Sequence, residues 1–253
     1  MSFGISKHPI IPGRAEPSDK AEMVTQILFG ETYRVVTVEK QWLLIENDAD
    51  AYQCWIDKKQ HTEISECPKS DFTSIKRCGD AIGQITNNVG KRFFIPCGSL
   101  LQSYHEGKFE INGEHFEFDG RVARHDSESI IRHARRLLHA PYLWGGKTAM
   151  GIDCSGFTQV VTACAGINIP RDAWQQAEKG EAVDFIDLTE PGDLAFFDNK
   201  EGRITHVGIV LEKGKIIHAS GSVRIDTLDH EGIYNEETKL YSHKLRLIKR
   251  FTL

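Results

Sequence analysis

The stretch Pro141-Tyr142-Leu143-Trp144-Gly145-Gly146, followed shortly by Gly151-Ile152-Asp153-Cys154-Ser155-Gly156-Phe157, decides how the chain is read. Phe157, Val160, Val161 and Cys164 recur at helical spacing, so a helix is expected from near Cys154 to Gly166, with Asp153 as its N-cap. A cysteine in that first turn meets free backbone N–H groups and the positive end of the helix dipole. Both favour a thiolate, which predicts a thiol pKa lowered toward neutrality, and the same amides can bind an oxyanion. Positions 154, 157, 161 and 164 also form one apolar stripe, and Cys164, deep in it, reads as a core thiol.

A partner for Cys154 comes from two strand-like runs, Thr205-His206-Val207-Gly208-Ile209-Val210-Leu211 and Lys215-Ile216-Ile217-His218-Ala219-Ser220. A three-residue Glu212-Lys213-Gly214 loop with a left-handed glycine would pair Leu211 with Lys215 and set Gly208 opposite His218. His206 and His218 then share a face on a diagonal of about 7–8 Å. Two such imidazoles suit a base and an orienting group beside a nucleophilic thiol. A zinc site made of Cys154, His206 and His218 plus water is the competing reading.

Further out, residues 1–120 read as β-rich. Val24 to Phe29, Tyr33 to Val38 and Trp42 to Ile45 form a first set of strands, and Ala81 to Thr86, Arg92 to Ile95, Phe109 to Ile111 and His115 to Phe118 a second. Asn112-Gly113 marks a tight hairpin turn. These are expected to be two small SH3-like β-barrel modules, 1–66 and 67–122, with a boundary near Ser65 to Ser70; a single β domain would carry the same pattern. The pattern changes at Asp126-Ser127. Ile130, Ala134, Leu137 and Leu138 predict a helix ending before Pro141, and strands return over 194–197, 206–211, 215–219 and 245–251. Residues 126–253 thus read as an α+β domain with an antiparallel sheet.

Composition narrows the classes. The 253 residues carry 31 Lys and Arg against 36 Asp and Glu, a net charge of −5, which argues against nucleic-acid binding. No apolar run is long enough to span a membrane. The six cysteines, at 54, 67, 78, 97, 154 and 164, form no Cys-x-x-Cys pair and are expected to be thiols. Taken with Met1 as the start, the chain shows no export signal, and a cytoplasmic location is expected.

Five ordered motifs, Pro141 to Gly146, Asp153 to Phe157, Pro191-Gly192-Asp193-Leu194-Ala195-Phe196-Phe197, Thr205 to Val210 and Ile217 to Ser220, resemble those of NlpC/P60 cysteine peptidases, a papain-like fold of permuted order. The resemblance implies Cys154 as nucleophile, His206 as base, His218 as orienting residue and Tyr142 near the oxyanion hole, with no cofactor or metal. Arg14 to Glu31 and Tyr52-Gln53-Cys54-Trp55-Ile56 resemble the bacterial SH3 module of a subgroup similar to γ-D-glutamyl-L-diamino acid endopeptidases, or dipeptidyl-peptidases VI. There the module caps the cleft, and an acid and a tyrosine hold the free amine of L-Ala. That implies Glu22 (with Glu16 as rival), Tyr52 and Asp172 in amine binding, with Asp153 and Ser155 also facing substrate. Tyr52-Gln53-Cys54-Trp55 departs from the commoner Tyr-x-Gly-Trp. The implied enzyme is a monomer that releases L-Ala-γ-D-Glu from murein peptides with a free N-terminal L-Ala, in cell-wall recycling. A wall-binding protein, or an amidase or acyltransferase using the same Cys–His site, are the alternatives.

Overall fold

The protein is described by a computed structural model covering residues 2–65, 75–126, 128–212 and 214–252. The expected module boundary at 65–70 falls largely outside these residues, as do Met1, Cys67, Ser127 and Lys213.

The N-terminal strands form one seven-stranded antiparallel sheet in the order Met23–Leu28, Ile10–Arg14, Gln53–Asp57, Trp42–Asn47, Thr32–Glu39, Ser2–Ile5, Thr62–Ile64. A second sheet orders Arg92–Pro96, Ile82–Asn87, Glu114–Phe118 and Lys108–Ile111, beside the short pair Lys76–Arg77 and Leu100–Leu101. Its Ile111-to-Glu114 hairpin turns through Asn112 (φ 48°) and Gly113 (φ 77°), the two left-handed positions a tight turn requires. The sheets are separate but their cores are not. Ile5 and Phe29 of the first unit pack into the core of the second, where the Phe29 ring meets Phe93, Phe109 and Phe116 edge-on at 5.9, 6.1 and 5.6 Å.

Three α-helices follow among the described residues: α1 (Ser129–Arg136), α2 (Cys154–Cys164) and α3 (Ala173–Ala177). The C-terminal strands order as Glu181–Ala182, Leu240–Arg250, Leu194–Asp198, Ile204–Glu212, Lys215–Ser220, Ser222–Leu228 and Gly232–Asn235. The long strand Leu240–Arg250 pairs at one end with Gly232–Asn235 and at the other with Leu194–Asp198, so the antiparallel sheet closes into a barrel. Ile130 and Ala134 of α1, Leu137 just after it, and Phe157, Val160 and Val161 of α2 bury against Leu194, Phe196, Val207 and Ile209. Leu28 and Cys97 join that core from the N-terminal units.

The N-terminal unit also grips the motif loops through polar contacts. Lys147 Nζ meets Glu31 Oε1 at 3.2 Å, both side chains being buried, and Lys147 N donates to Gln26 Oε1 at 2.7 Å. Gln159 Nε2 donates to Asp50 Oδ2 at 2.8 Å. Gly145, at φ 75°, lies against the Met23 carbonyl, which any Cβ would strike at 2.2 Å. This contact accounts for the glycine after Trp144. Among the described residues, no helix is long and apolar enough to cross a membrane.

Candidate active site

Helix α2 begins at Cys154, as its N-cap residue predicts. Asp153 Oδ1 accepts from Gly156 N at 2.6 Å. Arg171, 1% exposed, clamps the same carboxylate with Nη1 to Oδ1 at 3.1 Å and Nη2 to Oδ2 at 2.5 Å. Gly145 N reaches Oδ2 at 2.8 Å, and Ser155 Oγ lies 3.3 Å from Oδ1 and 2.9 Å from Arg171 Nη1. Asp153 and Ser155 thus lock three motif segments together around the thiol, their polar atoms engaged within the protein.

The Cys154 thiol is pushed up to about 11, which corrects the expected lowering. Burial is the largest cause and Asp153 adds to it. The Val207 and Ser155 backbone N–H groups and Arg171 pull the other way without overcoming them. The helix start supplies the amides, but its cysteine is only 6% exposed, and desolvation dominates.

His206 and His218 stand where the register predicts. Gly208 pairs with His218, and His206 Nε2 lies 2.8 Å from His218 Nδ1. The loop differs from the expected one. Glu212, not Leu211, pairs with Lys215, and a β-bulge between Val210 and Glu212 restores the register that a two-residue loop alone would have reversed. Position 213 of that loop lies outside the described residues. Sequence reasoning missed the rest of this hydrogen-bonded chain: His218 Nε2 lies 2.9 Å from Asp226 Oδ2, and Arg224 grips Asp226 with Nε at 2.7 Å and Nη2 at 3.0 Å. Ser220 pairs with Ser222 around Gly221, so extending the hairpin register would have placed Asp226 diagonal to His218. His243, also missed, stacks on His206 at 4.0 Å and 22°.

Burial, aided by His243 and His218, holds His206 well below its ordinary 6.5, so its resting state at neutral pH is uncharged. Asp226 is raised by burial but lowered more by its bonds to His218 and Arg224, and stays below the ordinary carboxylate value. Among the described residues, the imidazoles that converge as a ligand set are His206, His218 and His243, without Cys154; the three-ligand zinc arrangement with Cys154 is not formed.

A cleft of about 550 Å³ opens over Cys154, lined also by Glu22, Tyr52, Trp144, Asp153, Ser155 and Asp172. Glu22 Oε1 accepts from Trp144 Nε1 at 2.5 Å, which ties the first β unit to the motif loop. Tyr52 and Trp174 hydrogen-bond the Asp172 carboxyl, whose pKa burial raises. Burial, with Asp172 next, pushes the Tyr52 phenol up to about 12. Glu16 is not among the cleft's lining residues. Tyr142, half-buried, is held by its N–H to the Gly221 carbonyl at 2.9 Å. Its phenol is pushed up to about 12 by burial and then by Cys154 and Asp153, so it stays a hydrogen-bond donor beside the thiol.

This fold and this constellation define a cysteine peptidase. The NlpC/P60 family profile matches residues 139–242, and that of the bacterial dipeptidyl-peptidase SH3 domain matches residues 13–60. The chain is 31% identical to the gamma-D-glutamyl-L-lysine dipeptidyl-peptidase of Bacillus subtilis over 84% of its own length and 78% of that protein. It is 35% identical to the Bacillus cereus protein of the same name, over 85% and 73% respectively. A crystal structure of an NlpC/P60 family protein from Bacillus cereus shares the fold with a TM-score of 0.79 at 20% identity, covering 98% of this chain and 99% of that one. The chain belongs to the NlpC/P60 family of cysteine peptidases.

Proposed function

We propose that the protein hydrolyses the bond between γ-D-Glu and the diamino acid of peptidoglycan peptides that carry a free N-terminal L-Ala, releasing L-Ala-γ-D-Glu. The observation that carries this reading is the cleft that Cys154 lines together with Glu22, Tyr52 and Asp172. An α-ammonium entering a partly closed cleft loses hydration, and carboxylates offset that loss. An acylated amine offers no charge to pair with them, so blocked wall polymer is disfavoured. That demand suits cleavage of small released peptides, as in cell-wall recycling. The names of the two Bacillus relatives support the γ-D-glutamyl bond and a diamino acid at the leaving side.

In this reading the Cys154 Sγ–H gives its proton to His206, and the sulfur attacks the γ-carbonyl carbon. Since His206 Nε2 bonds to His218, Nδ1 is the nitrogen that takes the proton. Amides at the start of α2, with the Tyr142 hydroxyl, stabilise the oxyanion. The tetrahedral intermediate collapses, the C–N bond breaks, and His206 returns the proton to the leaving amine. Water, deprotonated by His206, then cleaves the thioester.

Two predictions arise here. His206 must be neutral to accept the thiol proton, so kcat/KM falls as pH drops through its lowered pKa. The acid limb of the profile is therefore expected below pH 6.5; a limb above that value would contradict a desolvated base. For the amine pocket, Glu22→Gln removes one charge partner and is expected to raise KM for the free-amine peptide about 10–100-fold, leaving kcat nearly unchanged. The comparison that tests the reading is N-acetylated peptide against free peptide. The wild type is expected to prefer the free form by a wide margin, and Glu22→Gln to narrow the gap. An unchanged gap would remove Glu22 from amine recognition.

A further inference from the structure

Away from the cleft, Cys97, His133 and Cys164 meet in the core where the second β unit packs on α1 and α2. All three are almost wholly buried, at 0%, 1% and 0% exposed. The two sulfurs are 3.6 Å apart, and one ligand atom from each residue lies within 4.8 Å of the other two. Neither ring nitrogen of His133 makes a hydrogen bond, although the residue is buried. The Gly79 carbonyl, which accepts from Arg136 Nη1 at 2.7 Å, also bears on the ring but can serve at most one of its two nitrogens. A buried imidazole with a ring nitrogen idle is costly unless a further partner belongs there, and the two thiols beside it bring the donors of one tetrahedral ion to three of four.

We propose that Cys97, His133 and Cys164 bind one metal ion of the zinc class, soft enough for two thiolates and an imidazole. A tetrahedron with Zn–S bonds of about 2.3 Å has an edge of about 3.8 Å, close to the observed sulfur separation, so the cysteines need little movement to bind. Binding displaces two thiol protons, and the pair of thiolates neutralises a divalent charge in the core. His133 alternatively accepts the ion through whichever nitrogen the ring turns toward the sulfurs, and the other then serves as donor. The ion would tie the second β unit, through Cys97, to the last residue of the helix whose first residue is Cys154. Its expected effect is on stability rather than on the reaction.

The test uses the full chain, purified with reductant, stripped with chelator and titrated with Zn²⁺ and, separately, Co²⁺. The expected result is one ion per chain, a thiolate-to-cobalt charge-transfer band, and a higher thermal midpoint with zinc. Cys164→Ala and His133→Gln are each expected to weaken binding by about 100-fold or more, while Cys154→Ala binds as the wild type does. Circular dichroism of the metal-free variants establishes that they fold; if either does not, the Cys97→Ala titration takes its place, and the cobalt spectrum of the wild type reads the thiolate ligands directly. Absence of a thiolate–cobalt band in the folded wild type, or binding unchanged by loss of Cys164, would overturn the site. So would a protein lighter by two hydrogens with Cys97 linked to Cys164 and no ion bound.

Discussion

Cys154→Ala is expected to lower turnover by about 10⁴-fold or more while leaving the fold intact. The substitution removes only a sulfur from the start of α2. The Asp153 cap, the Arg171 clamp and the apolar face of Phe157, Val160 and Val161 do not depend on it. The stability cost is accordingly about 1 kcal/mol, within the ordinary range for a small core truncation. Thermal unfolding and circular dichroism check the fold, and product formation checks the chemistry. The remaining His206–His218–Asp226 relay has no other described cysteine at the cleft to serve, because Cys54, Cys78, Cys97 and Cys164 do not line it. Turnover that persisted in a folded Cys154→Ala protein would sink the covalent mechanism.

Asp226→Asn is expected to lower kcat by about 10²–10⁴-fold through a proton, not through packing. In the wild type the carboxylate can only accept, so His218 carries its proton on Nε2, 2.9 Å from Asp226 Oδ2. His218 Nδ1 is then an acceptor, His206 donates to it from Nε2, and His206 Nδ1 is left free to receive the thiol proton. An asparagine can turn its NH₂ to His218. The chain of donors then reverses, and the proton ends on the nitrogen that should be the base. Imidazole ¹⁵N shifts read this directly: the variant is expected to move the His206 proton between nitrogens with the circular dichroism spectrum unchanged. A variant with wild-type kcat, or with unaltered His206 shifts, would reduce Asp226 to a structural partner of Arg224.

Much of this geometry was legible in the sequence because it depends on local rules. An Asp before an apolar helical stripe fixes where α2 starts, and that alone sets Cys154 in the first turn. Alternation in two strands joined by a short loop set His206 and His218 on one face. The loop itself was misread, since a bulge at Leu211 and a three-residue loop give the same register and one sequence cannot separate them. Asp226 and His243 escaped because each is brought in by pairings beyond that hairpin: Asp226 needed the register carried through the Gly221 turn, and His243 sits on a strand remote in sequence. The thiol's ionisation was misjudged for a different reason. The helix start is visible in sequence, whereas the depth of burial that opposes it, leaving Cys154 only 6% exposed, arises only when the chain folds around the sulfur. The β units show the same division. Their strands follow alternation, but the passage of Phe29 and Ile5 into the second core follows from packing alone.

The measurement that tests the central claim most directly is a mass-spectrometric digest of L-Ala-γ-D-Glu-diaminopimelate beside its N-acetylated copy and the corresponding L-lysine peptide. The account predicts that the free-amine peptides yield L-Ala-γ-D-Glu and the free diamino acid, and that the N-acetylated copy stays intact. Equal cleavage of free and acetylated peptide would leave the peptidase but remove the amine pocket of Glu22, Tyr52 and Asp172. No cleavage of any of them by the folded protein would contradict the proposed substrate.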